Sequence, residues 1–159
     1  MMNRTFVNIG ATGLVVAAAM SFATLAQAGE CPADKLVADG EGQKAGATTP
    51  KDVTDTVLAS IDLSKEMVKL DSHLFRMRRL VIKPGGIVPW HSHADRPALI
   101  YIVQGEITEY ASICKVPILH NAGDVSVDAG RSHWWKNAGK RTVVLISADI
   151  LDDRMDANM

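Results

Sequence analysis

The chain has 159 residues, with 17 Lys and Arg against 18 Asp and Glu, a net charge of −1 and a hydrophobic fraction of 47%. This balance excludes a polybasic nucleic-acid binder, and it excludes a chain too polar to bury a core. The length admits one domain with a real core and not two.

The first thirty residues decide the compartment. Arg4 is the only charge before Glu30, and an apolar stretch from Ile9 to Ala26 ends in Ala26-Gln27-Ala28, an A-x-A cleavage signal. Residues 1–28 therefore read as a secretory signal peptide, and the protein as periplasmic or secreted. The stretch is weakly hydrophobic and no basic cluster follows it, so no membrane span is expected after cleavage. Removing 28 of 159 residues leaves 131, and losing Arg4 leaves 16 basic against 18 acidic groups, a net charge of −2. No nucleic-acid partner is expected. An exported chain meets an oxidising environment, so Cys31 and Cys114 are expected to form a disulfide; two unrelated thiols are the alternative. Such a bridge, closing a loop of about 80 residues, is worth roughly 4 kcal/mol in chain entropy.

Residues 29–56, with few large apolar side chains, read as an N-terminal arm held by contacts and by Cys31. From Val57 to Leu63 apolar residues alternate, which indicates a strand, with a short helix as the alternative. Short β-rich runs then recur between turn residues. "LFRMRRLVI" stops at Lys83-Pro84-Gly85-Gly86, "ALIYIV" at Gln104-Gly105, "ITEYASI" runs to Cys114, "DVSV" stops at Asp128-Ala129-Gly130, and "RTVVLISADI" closes the series. This spacing predicts an all-β sandwich or barrel over residues 57–150, followed by a solvated tail over 151–159.

Five histidines lie at 73, 91, 93, 120 and 133. His91 and His93 stand at i and i+2, which on a strand puts both imidazoles on one face about 7 Å apart along the chain. His133 follows a turn in "GRSHWWKN", with Trp135 and Asn137 on its face if the segment is extended. Three neutral imidazoles suit a divalent transition metal such as Fe, Zn, Mn, Ni or Cu, with coordination positions left for water and substrate. Each tryptophan adjoins or nearly adjoins one of these histidines; Trp135 is assigned to the pocket, Trp90 and Trp134 to packing or an interface. His73 and His120 read as surface or turn histidines, and Asp95 as a turn residue.

"GGIVPWHSH…IYIVQG" followed by "GDVSVDAGRSHWWKN" resembles the two motifs of the cupin superfamily, over roughly Gly85 to Asn137. Gly85, His91, His93 and Gly105 stand at the spacing of the first motif, and Gly123, Gly130, His133 and Asn137 follow the second. The resemblance implies a double-stranded β-helix (jelly-roll) barrel with the histidines in its lumen, and a homodimer. Two departures stand out. Ala98 occupies the place of the family's metal-binding glutamate, and the second motif is one residue short, with Asp128 where proline is usual. Glu106 and Glu109 are the nearest downstream carboxylates, but ligation by either needs a different strand position.

An ion held by three neutral histidines keeps its full +2 charge, which favours an anionic small-molecule ligand. Arg76 and Arg78 share one strand face; if it is the lumen they would grip a carboxylate or phosphate, and if it is the outer face they meet water. Tyr101 is a further candidate hydrogen-bond donor. The chain thus reads as an exported metal-dependent cupin-like protein with dioxygenase or Lewis-acid isomerase or hydrolase chemistry, its general base unassigned. The alternative is a non-enzymatic cupin module that binds a small ligand with weak or no metal binding.

Overall fold

The computed structural model describes residues 29–154. The expected signal peptide and most of the expected tail lie outside them. Among the described residues no helix is long and apolar enough to cross a membrane. A single 3-10 turn, Ala33–Lys35, precedes eight strands: β1 Lys51–Asp62, β2 His73–Ser92, β3 Ala98–Gln104, β4 Glu106–Ala111, β5 Ile118–Asn121, β6 Val125–Asp128, β7 Ser132–Lys136 and β8 Val143–Asp152. All pairings are antiparallel, in the order β5-β4-β7-β2-β8-β3-β6, with β1 on the other edge of β2. The result is a nearly closed all-β barrel.

Strand β2 belongs to both walls. Residues 73–82 pair with β8 and residues 87–92 with β7. The Lys83-Pro84-Gly85-Gly86 sequence, expected to end a strand, bends this one instead. It keeps its backbone partners, because Gly85 N–H donates to Asn137 O at 2.9 Å and Asn137 N–H donates to Gly86 O at 3.0 Å. Asn137 also spans the bend with its side-chain amide, which donates to Ile82 O at 3.0 Å and Arg141 O at 2.8 Å. One wall is therefore β5-β4-β7 with the second half of β2; the other is β1, the first half of β2, β8, β3 and β6.

The alternating residues fill the space between the walls. Leu80, Ile82, Val88, Ala98, Ile100, Ile102, Ile107, Trp135, Val143 and Leu145 form one buried cluster. Truncating a Leu or Ile at such a position to Ala typically costs about 2–5 kcal/mol.

The arm is pressed onto this barrel. Cys31 and Cys114 are joined by a disulfide. Val37 N–H donates to Ile113 O, and Gly42 N–H to Ser112 O. The approach is close enough to demand glycine: a Cβ on Gly42 would lie 2.4 Å from the backbone nitrogen of Cys114, and one on Gly46 would lie 2.6 Å from the Trp134 ring. Regular structure begins at Lys51, not at Val57, because residues 51–56 already pair with β2.

Candidate metal centre

The inner face of the first wall carries one polar row. His91 on β2 is the register partner of His133 on β7, and His133 neighbours Glu109 on β4 diagonally across the ladder. Glu109 in turn neighbours His120 on β5. The row therefore runs His91, His133, Glu109, His120 across four strands, and His93 joins it from the end of β2.

The ring nitrogens are sorted by their partners. His91 Nδ1 lies 2.8 Å from Pro89 O, His93 Nδ1 lies 2.6 Å from Arg96 O, and His133 Nδ1 lies 2.7 Å from Glu109 Oε1. Each partner is an acceptor, so each Nδ1 carries the proton and each Nε2 presents a lone pair. Those lone pairs converge: His91 Nε2 is 3.0 Å from His93 Nε2 and 3.2 Å from His133 Nε2. Three acceptors facing one another repel unless a cation lies between them.

The spacing fits an ion. Nitrogens about 2.1 Å from a common metal stand about 3.0 Å apart at octahedral angles and about 3.4 Å apart at tetrahedral ones. Both observed separations lie in that interval. Burial first, then the neighbouring His133, lowers the pKa of His91 to about 2 and that of His93 to about 4. Both rings are therefore neutral and available to a metal at ordinary pH.

Glu109 is buried and does not reach the three Nε2 atoms. Its two oxygens accept from His133 Nδ1 and, at 2.8 Å, from His120 Nε2. Burial alone would raise its pKa, but the hydrogen bonds from His120 and His133 outweigh burial and hold the group well below the usual carboxylate range. It is an ionised carboxylate that orients a ligand histidine. His120, expected at the surface or in a turn, is fully buried on the other side of Glu109. The missed signal was the short alternating "ILHN", which forms β5 and turns His120 inward.

The second wall carries a different polar row. On β2, β8, β3 and β6, Arg76, Asp149, Ala98 and Asp128 lie side by side, and Arg78, Ser147, Ile100 and Ser126 form the next rung. Arg76 and Arg78 thus face the interior and are buried. Arg76 grips Asp149 with two hydrogen bonds of 3.0 and 2.9 Å. Arg78 lies 3.3 Å from Asp149 and also pairs with Asp55. A glutamate at position 98 would stand between two buried aspartates, and alanine avoids that crowding of like charge. Neither aspartate substitutes for it, since Asp149 is taken up by arginines and Asp128 accepts from Arg131 Nε at 2.9 Å.

A small cavity joins the two rows. Arg78, Leu80, Val88, His91, His93, Ile100, Trp135, Leu145 and Ser147 line it, and its free volume is about 10 Å³. Trp135 is buried there, with its indole nitrogen 3.3 Å from His133 Nε2. Trp134 instead stacks on Tyr110 at 4.0 Å. Two expected pocket residues are elsewhere. Tyr101 is half exposed on the outer face, because it alternates with the inward-facing Ile100 and Ile102. Asn137 is spent on the β2 bend.

Residues 78–149 match the model of the cupin domain family. The barrel has a double-stranded β-helix, cupin-like fold. Among solved structures, a double-stranded β-helix protein from Klebsiella pneumoniae is 14% identical, with 67% of this chain and 85% of that one covered and a TM-score of 0.51. A predicted oxalate decarboxylase from Thermotoga maritima is 22% identical over 69% of this chain and 97% of its own, with a TM-score of 0.49. The cupin domain of an XRE-family transcriptional regulator from Enterobacter cloacae is 16% identical over 62% and 96%, with a TM-score of 0.48. No curated protein matches the chain.

Proposed function

We propose that this is an exported, metal-dependent cupin that acts on a small molecule at a three-histidine centre. The observation that carries the reading is the convergence of three Nε2 lone pairs at 3.0 and 3.2 Å, with every Nδ1 tied to an acceptor. His91, His93 and His133 would hold the ion, and Glu109 with the Pro89 and Arg96 carbonyls would keep the rings aimed. A redox-active iron would supply oxygen chemistry, whereas zinc, manganese or nickel would supply Lewis-acid chemistry. Leu80, Val88, Ile100 and Leu145 exclude bulk water, and the Trp135 N–H donates to His133 Nε2 at 3.3 Å. A second reading, a ligand-binding cupin without turnover, draws support from the same lining, which contains no carboxylate to serve as a general base.

Export draws support from the signal-like residues 1–28 and is compatible with the disulfide. The homodimer draws support from the outer face of the second wall, where Phe75 and Met77 on β2, Leu99 and Tyr101 on β3, and Val125 and Val127 on β6 are exposed. An apolar sheet face of this kind is characteristic of an interface.

The test is elemental analysis of protein purified from its native compartment, beside His91→Ala and His133→Ala. About one transition-metal ion per chain, lost in both variants, is expected. A wild type that carries no metal and takes up none of Fe, Zn, Ni, Cu or Mn would leave only the binding-module reading.

A further inference from the structure

We infer that the cavity beside the three histidines is an anion subsite, in which Arg78 and Ser147 receive a small carboxylate-like ion. The inference deepens the three-histidine reading and rests on it for the ion that faces the same space.

The first support is charge. Arg76, Arg78 and Arg96 cluster around Asp149, with Arg96 Nε 3.9 Å from its carboxylate, and Asp55 is the second carboxylate that faces them. Three buried cations against two carboxylates leave one positive charge in excess. Of the other buried charges, Asp128 pairs with Arg131, and the Glu109 carboxylate lies behind His133, with both oxygens hydrogen-bonded to His133 and His120 and outside the cavity lining. A divalent ion on three neutral imidazoles would add two further positive charges at the other end of the cavity.

The second support is unspent hydrogen-bonding capacity. Arg78 Nε, Arg96 Nε and Ser147 Oγ are buried without a partner, and both Arg78 and Ser147 line the cavity with His91 and His93. Buried donors left unsatisfied are costly, so two that line one cavity are shaped for an acceptor. The third support is size. A free volume of about 10 Å³ is that of a single water, so the space takes one oxygen of an anion while the rest of the ligand stays toward the histidines or the mouth.

The experiment measures binding of sodium formate and of its neutral isostere formamide by calorimetry, on metal-free and zinc-loaded protein. Ionic strength is held constant with sodium sulfate, whose anion is larger than formate. Formate is expected to bind the metal-free protein at least tenfold more tightly than formamide. Ser147→Ala, which leaves every ion pair in place, should weaken formate at least fivefold. Asp55→Asn combined with Arg78→Gln, which removes opposite charges together, should do the same. Equal affinity for formate and formamide, or an unchanged affinity in a folded Ser147→Ala variant, overturns the inference. Zinc uptake without preference for formate sinks the anion subsite and leaves the metal centre standing; formate binding without zinc uptake does the reverse.

Discussion

The two walls of the barrel each place a row of buried polar groups toward the same lumen, and they do so with opposite chemistry. The β5-β4-β7-β2 wall uses imidazoles aimed by hydrogen bonds to carbonyls and to one carboxylate, Glu109, and of these burial keeps His91 and His93 neutral at ordinary pH. The β2-β8-β3-β6 wall uses permanent charges, three arginines against Asp149 and Asp55. A neutral row with converging lone pairs is suited to gather a cation. A row with surplus positive charge is suited to attract an anion, and setting the two across one cavity makes each stabilise what the other would hold.

The largest effect should come from breaking the charged row. Asp149→Asn leaves Arg76 and Arg78 without their shared carboxylate in the interior, and the expected loss is about 3–5 kcal/mol of unfolding free energy in urea titrations. A loss below about 1 kcal/mol would show that the guanidinium groups find water.

The neutral row differs by being sensitive to acid. The folded-state pKa values of His91 and His93 lie below the 6.5 of an exposed imidazole, so unfolding takes up protons. Their contribution to stability is complete above pH 6.5 and declines below it, down to about pH 4 for His93 and further for His91. Each proton taken up steepens the decline by about 1.4 kcal/mol per pH unit. Melting of the metal-free protein from pH 7.5 to 4.5 should show this slope, and His93→Gln should flatten it; a flat wild-type profile contradicts the neutral-imidazole row.

Glu109→Gln sharpens the comparison at a single atom pair. The amide can no longer accept from His133 and His120 together, and the expected outcome is a 10- to 100-fold drop in zinc affinity with the fold retained. Competition against a chromophoric chelator measures it, and unchanged affinity would reduce Glu109 to packing. The smallest effect is expected outside both rows: Tyr101→Ala should change zinc and formate affinity by less than about twofold, since the ring lies on the outer face.

Much of this was legible in the chain. Alternating short runs between glycines and prolines led to an all-β barrel, and the spacing of His91 and His93 led to a histidine cluster with His133, because strand periodicity and turn chemistry are local properties. The inward aim of Arg76 and Arg78 was open, since period-two alternation shows which residues share a face and not which face is buried. Tyr101 was misjudged for the same reason.

The sequence by itself determined the strand-and-turn pattern, the pairing of His91 with His93, the absence of a glutamate at position 98 and the presence of two cysteines. Only the tertiary structure decided that β2 bends without ending, that His120 and Glu109 support His133, and that Ala98 lies between two buried aspartates. These are relations between strands remote in sequence, set by register and barrel closure, and no local pattern encodes which side chains meet across the lumen.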